Sequence, residues 1–263
     1  MRRLHLFEFN ERPECPAFIR DSVTETLGTG LRWGRMGDIV GPELARFCRD
    51  AGVRRILDLC SGTGEPVRLL VEWLARHGEP VPEFVLSDLF PHHAAFAAAR
   101  AAHPGVITTE DEPVSATAVP ATIAHDARVI INSLHHFRPE VVAQILGDAV
   151  AARRAVFVYE GFPRNLARLA PTSPTMLPAL LANPLLARRQ RAAKALLTYV
   201  VPVIPAVAMW DACVSVLRVH SEAELRALVA PFGAGYAWSY REVPYPLGGR
   251  GVFFTGIPTG AAA

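Results

Sequence analysis

The stretch Ile56-Leu57-Asp58-Leu59-Cys60-Ser61-Gly62-Thr63-Gly64-Glu65-Pro66 decides the fold. Branched apolar residues lead into an acid, glycines follow at alternate positions, and a helix-like run extends from Val67 to Ala75. That order predicts a buried strand, a tight turn and a helix start. Glycines in such a turn let the backbone approach a ligand closely, and the helix start offers unpaired N–H groups.

Working outward, the chain alternates strand and helix. Strands are expected at Arg54 to Cys60, Glu83 to Leu89, Val106 to Thr109, Arg128 to Ser133 and Ala155 to Glu160. Helices are expected at Glu65 to His77, Pro91 to His103 and Pro139 to Ala152, the last with proline in its first turn. Strands separated by helices imply a parallel sheet covered on both faces. Before this core, a helix is read from Ala17 to Leu27, broken by Gly28 and Gly30, and another from Pro42 to Ala51. After Gly161 the alternation stops, and Phe162 to Ala212 reads as a helical insert punctuated by proline. Ser221 with Glu224 three residues on is a capping box for a helix to Val229. Tyr236 to Tyr245 and Gly251 to Gly256, joined through Pro246-Leu247-Gly248-Gly249, close the chain as an antiparallel pair at the sheet edge. The expectation is an α/β three-layer sandwich with a mostly parallel seven-stranded sheet. Its parts are a helical cover (1–52), the core (53–162), the insert (163–220) and a closing helix and hairpin (221–263).

The 263 residues suffice for one such domain with a covering element, and 51% apolar content supplies a large core. The net charge of +2 is spread over interspersed acids and bases, so no basic field argues for nucleic acid. Cys15, Cys48, Cys60 and Cys213 are scattered, with no Cys-x-x-Cys pair to suggest zinc or a disulfide framework. A reduced cytoplasm is the simplest compartment. The start, Met1 to Phe9, lacks the sustained apolar core of a secretory signal, and the tail Gly260 to Ala263 reads as loose.

The turn resembles the nucleotide-binding loop of class I S-adenosylmethionine (SAM) dependent methyltransferases, whose pattern is acidic-x-Gly-x-Gly-x-Gly. Here it reads Asp58-Leu59-Cys60-Ser61-Gly62-Thr63-Gly64, with Cys60 in place of the first glycine. The rival is a dinucleotide fold; its Gly-x-Gly-x-x-Gly, counted from Gly62, asks for glycine where Val67 stands. Asp88, at the end of the second strand, is placed to bind ribose hydroxyls, which SAM and NAD both have, or else to cap the next helix. Leu89 and Phe90 would flank the adenine. The resemblance implies an acid then a small residue against the adenine amino group; Ser115 and Ala116 stand there. Asn132-Ser133-Leu134-His135-His136-Phe137 is similar to the segment that lines the methionine half of SAM in many small-molecule methyltransferases. The cofactor set is therefore Asp58, Cys60, Ser61, Gly62, Gly64, Asp88, Leu89, Ser115, Ala116, Asn132 and Ser133. His135 or His136 would serve as general base, with Tyr159 and Glu160 as further candidates. The pairs His92-His93 and His135-His136 lack metal-ligand spacing, so no metal is expected.

The implied reaction is in-line methyl transfer from SAM, leaving S-adenosyl-L-homocysteine, to a small apolar or aromatic acceptor, with oxygen favoured over carbon or nitrogen. An NAD(P)-dependent oxidoreductase and a SAM-binding partner without catalysis stay open. The insert's uncharged run Ala195 to Trp210 falls short of the ~20 apolar residues that span a bilayer and holds two prolines. It reads first as a lid, in a monomer or homodimer. Arg188, Arg189, Arg191 and Lys194 just upstream leave contact with a membrane surface as the second reading. Trp33, Tyr199, Trp210, Asp211 and Arg218 are the acceptor-side candidates, with an Asp211–Arg218 salt bridge as the alternative role for the last two.

Overall fold

A computed structural model describes residues 2–168, 173–187, 190–245 and 249–260. Contacts divide the chain into two units: Gly37–Gly161, His220–Val243 and Gly251–Ala263 form the core unit, and Met1–Met36, Phe162–Val219 and Pro244–Arg250 form a helical unit. The division falls inside the expected 1–52 cover, whose second helix belongs to the core.

The core unit is a seven-stranded sheet in the order β3-β2-β1-β4-β5-β7-β6. Its strands are β1 (Arg55–Leu59), β2 (Glu83–Ser87), β3 (Ile107–Thr109), β4 (Ala127–Ile131), β5 (Ala155–Glu160), β6 (Tyr236–Pro244) and β7 (Arg250–Pro258). β1 to β5 pair in parallel, and β7 runs antiparallel to β5. The closing hairpin therefore inserts its second strand against the parallel set, with β6 at the edge. Residues 246–248 of the expected connection lie outside the described residues, as do 261–263 of the tail.

The strand order reverses between β1 and β4. Right-handed crossovers then place α3 (Glu65–Arg76) and α4 (His93–Ala102) on one face and α5 (Pro139–Ala151) on the other. Alternation in β5 shows the two faces directly. Val156 and Val158 join Ile145 and Leu146 of α5 and Leu225 and Val229 of α9 (Glu222–Val229) in one cluster. Phe157 points the other way, its ring 5.3 Å from that of Phe47 in α2 (Met36–Ala51). Each such buried side chain contributes roughly 1.5–3 kcal/mol. The capping box of α9 is formed, Ser221 and Glu224 each accepting the other's backbone N–H.

Two helix boundaries differ from the sequence reading by more than two residues. α2 starts at Met36, not Pro42, because Gly37 and Gly41 lie under Trp73; a Cβ on Gly41 would sit 2.2 Å from its ring. In the helical unit, α1 (Ala17–Trp33) continues through Gly28 and Gly30. A Cβ on Gly30 would lie 2.3 Å from Met176 Sδ of α6 (Ser173–Leu186), so that glycine is what lets α1 and α6 pack closely. In both, tertiary packing outweighs the poor helix propensity of glycine. The rest of the insert comprises α7 (Arg191–Ala195), a π-helical turn Leu196–Val200 and α8 (Val203–Arg218), with a 71° bend at the break before α8.

Candidate active site

The parallel register sets Leu59 beside Ser87 and Ile130, and Ile131 beside Tyr159, so the carboxyl ends of β1, β2, β4 and β5 share one edge. A ligand crevice is expected there, where the strand order reverses. In the turn after β1, alternate residues take left-handed backbone: Cys60 at φ 60, Gly62 at φ 55 and Gly64 at φ 71. Cys60 adopts the conformation that its glycine counterpart would, at a cost of about 1–2 kcal/mol. The two glycines serve different ends. A Cβ on Gly64 would meet Leu86 Cδ1 at 2.7 Å, so that position is fixed by packing. A Cβ on Gly62 would meet nothing within 4 Å, so the backbone there is open to a ligand.

The turn is pinned to β2. Ser61 Oγ and Ser87 Oγ both donate to the Asp58 carbonyl, at 3.0 and 2.8 Å, and Ser87 N–H donates to Ser61 Oγ at 3.0 Å. Ser87 is missing from the sequence candidates; its signal is a hydroxyl in the otherwise apolar run Phe84-Val85-Leu86. Asp88 accepts the Gly62 N–H at 2.9 Å with one oxygen and the Phe90 N–H at 2.9 Å with the other. Each oxygen keeps a lone pair, so hydroxyl donors can still be accepted. Leu89 is half exposed and Phe90 is 83% exposed. Val114 N–H donates to the Asp88 carbonyl, which brings the next loop to this edge. In that loop Ser115 Oγ lies 2.9 Å from Thr117 Oγ1, and Ala116 is buried.

Burial dominates the electrostatics. It pushes the Asp58 carboxyl up to about 7, against the pull of the Ser61 hydroxyl, and the Asp88 charge adds to the rise. The Cys60 thiol is pushed up to about 12 by burial and then by Asp88 and Asp58, so it stays protonated. It packs as a small neutral group rather than a nucleophile.

The edge continues at β4. Asn132, at φ 52, donates its N–H to the Tyr159 carbonyl and accepts the Gly161 N–H on Oδ1, both at 2.7 Å, locking the ends of β4 and β5 together. Ser133 Oγ donates to the Ile131 carbonyl at 3.0 Å. The following 3-10 turn carries His135 and His136, their ring centroids 4.3 Å apart. His135 is buried, and so is Glu160 at the end of β5. Glu160 accepts the His135 backbone N–H at 2.9 Å with one oxygen, while the other lies 2.7 Å from Nδ1. A doubly engaged carboxylate fixes the ring and favours the proton on Nδ1, leaving Nε2 as the acceptor. The sequence offered Glu160 only as a rival base; its position as the partner of His135 follows from β5 lying beside β4. Tyr159 is buried with its ring 5.0 Å from that of Phe253.

The acceptor-side candidates all lie in the helical unit. Trp33 is partly exposed, and Tyr199 donates its hydroxyl to the Leu181 carbonyl. Trp210 donates to the Phe7 carbonyl at 3.0 Å and packs on the Phe7 ring. Asp211 caps the 3-10 turn Phe9–Glu11, accepting the N–H groups of Phe9 and Asn10 at 2.7 and 3.1 Å. Its carboxyl is raised above the usual carboxylate range by burial, which these bonds oppose. Arg218, 1% exposed, holds Glu11 through two nitrogens at 2.5 and 2.7 Å and Glu8 at 3.3 Å. Both charged side chains are thus engaged by the N-terminal segment.

No protein-family model matches the chain. A 63-residue stretch, 24% of the chain, is 41% identical to the non-reducing polyketide synthase tazA of Aspergillus terreus, of whose length it spans 2%. The plantazolicin methyltransferase BpumL, solved with SAH, matches at a TM-score of 0.55 and 9% identity over 95% of this chain and 92% of that one. A protein of Nostoc punctiforme assigned as an O-methyltransferase matches at 0.54 and 16% identity, over 97% of this chain and 64% of that one. The mitomycin 7-O-methyltransferase MmcR matches at 0.51 and 16%, over 96% of this chain and 61% of that one. The chain therefore spans under two thirds of both O-methyltransferase structures. At these identities the likeness speaks for architecture: the chain has the fold of class I SAM-dependent methyltransferases.

Proposed function

We propose that the chain is a SAM-dependent methyltransferase acting on an oxygen of a small apolar or aromatic molecule. One observation carries the reading: at a single sheet edge, a left-handed glycine turn and a ribose-competent carboxylate accompany a buried His–Glu pair.

The residues present fit SAM. The space over Gly62 is open where a side chain would fill it, and Asp88 is anchored with lone pairs to spare. Asp58, Cys60, Ser61, Gly62 and Gly64 would hold the amino-acid half, and Asn132 and Ser133 would line it. Asp88 would take the ribose, with Leu89, Ser115 and Ala116 around the adenine. When bound, SAM supplies an electrophilic methyl group on a sulfonium. The chain's own task is then to align the acceptor, exclude water and remove a proton. His135 Nε2 takes the proton of the acceptor hydroxyl, and Glu160 stabilises the imidazolium that forms. His136 is the second choice as base. Tyr159 is the third, because its ring is packed against Phe253.

Isothermal titration with SAM, followed by transfer of labelled methyl to a panel of phenols, tests the proposal. Absence of SAM binding at millimolar concentration would sink it. Binding without any methylated product would favour the partner-protein reading. The NAD(P) reading finds no support, since Val67 is fully buried where the dinucleotide pattern needs glycine. Free cysteines at four positions accord with a reducing cytoplasm.

A further inference from the structure

The helix α6 of the helical unit buries Ala179, Leu180 and Asn183 and turns a second row of leucines to solvent. Leu177, Leu181 and Leu185 follow one another at four-residue spacing, which puts them on one helix face. They are 48%, 44% and 70% exposed. On the inner side, Asn183 is buried and donates to Glu25 at 3.1 Å, and buried Lys194 of α7 pairs with the same carboxylate. The apolar face continues beyond the helix. Tyr199 hydrogen-bonds the Leu181 carbonyl, and after it come Val200, 72% exposed, and Val201, 50% exposed. A helix face made of leucine asks for an apolar partner, because exposed apolar area of this extent is unfavourable in water.

Charge says which partner. Residues 161–210 contain Arg164, Arg168, Arg188, Arg189, Arg191 and Lys194 and no Asp or Glu. Lys194 is used by Glu25. Arg191 donates to the Ala187 carbonyl at 2.6 Å, which sets its guanidinium at the end of α6. Residues 188 and 189 lie outside the described residues and enter only through their charge. A second copy docked by a twofold contact would bring this stretch against itself, like charge against like, with no acid from residues 161–210 to offset it. An anionic bilayer surface supplies both missing components, an apolar layer for the leucines and negative headgroups for the arginines. Among the described residues no single helix is long and apolar enough to cross a membrane.

We propose that the outer face of α6, with the turn at Tyr199 to Val201 and Arg191 beside it, docks the protein on an anionic lipid surface. Leucine and valine side chains enter the interface while the backbone stays at headgroup level. The inference does not depend on methyl transfer, and SAM binding serves as a separate reading of the core.

The test is flotation of the full chain with vesicles of phosphatidylcholine alone and of equimolar phosphatidylcholine and phosphatidylglycerol. Wild type is expected to float with the anionic vesicles only, and less as salt is raised. Leu185→Ser with Val200→Ser should lower the partition coefficient more than about tenfold, and Arg191→Gln by about fivefold. Circular dichroism and SAM titration should match wild type. Failure of wild type to bind anionic vesicles overturns the proposal, as does equal binding to both kinds. A concentration-dependent dimer in sedimentation that the Leu185→Ser, Val200→Ser protein loses would assign the face to a second copy and overturn it too. Should that double variant misfold, Arg191→Gln and the wild-type salt series still decide.

Discussion

The sheet edge of the core unit and the outer face of α6 handle polarity in opposite ways. At the edge, polar groups are gathered from four strand ends and bonded to one another: Asp88 to the Gly62 amide, Ser61 and Ser87 to the Asp58 carbonyl, Glu160 to His135. Polar groups bonded to one another in this way hold one geometry. On α6 Asn183 is turned inward beside Ala179 and Leu180, while Leu177, Leu181 and Leu185 face outward. A set of polar groups fixed in place can act on a small ligand. An apolar face left in water needs a surface to cover it. The difference separates a site built to do chemistry from a face built to dock.

The comparison breaks first at the His135–Glu160 pair. Glu160→Gln and His135→Ala should each lower the methyl-transfer rate by about 10²–10⁴-fold while SAM affinity holds. A loss of SAM binding instead would show that the pair only supports the fold. The helical unit has its own buried pair as a contrast. Arg218→Ala removes the buried cation that Glu8 and Glu11 share, and should cost about 3–5 kcal/mol in denaturant unfolding with no specific loss of chemistry.

The two glycines sharpen the picture of the turn. Gly64→Ala should cost about 1–3 kcal/mol of stability, from left-handed backbone and the clash with Leu86. Gly62→Ala should cost less stability and proportionately more SAM affinity, because its Cβ would enter open space. Chemical denaturation beside SAM titration separates these effects.

Asp58 gives a pH signature. Its folded value of about 7 lies above the ordinary carboxyl value of 3.8, so the folded chain holds a proton that the unfolded chain has lost between those limits. The stability it contributes is full below 3.8 and lost as pH rises through 7. Unfolding at about pH 5 and about pH 8 should show wild type less stable at the higher pH, with Asp58→Asn reducing that difference. The smallest effect is expected at Cys60. Cys60→Gly relieves left-handed strain but loosens the unfolded chain, for a net gain of up to about 1 kcal/mol.

Much of the core was legible in sequence. The β5 limits Ala155 to Glu160 agree with the structure, and the expected helix over Glu65 to His77 ends one residue earlier. Strongly apolar strand runs and the capping box at Ser221 are local signals, and local signals survive folding. Glycine in helices was not legible. Gly30 looks like a break until Met176 is seen lying on it, and the start of α2 ahead of Pro42 is hidden until Trp73 is seen over Gly41. At the site, the order of residues around the turn was readable, but the roles were less so. Ser87 and Glu160 acquire theirs from neighbouring strands, and Asp211 and Arg218 find hydrogen-bond partners near the N-terminus.

By itself the sequence determined the alternation of strand and helix, the turn at Asp58 to Gly64, and the acid and histidines that follow later strands. These depend on hydrophobic period and on glycine's backbone freedom, which act within a few residues. Only the tertiary structure decided which carboxylate holds His135, that Cys60 takes the left-handed backbone where a glycine is expected, and that Leu177, Leu181 and Leu185 of α6 face outward. Those facts depend on contacts between segments far apart in the chain, and no local pattern encodes which segments will meet.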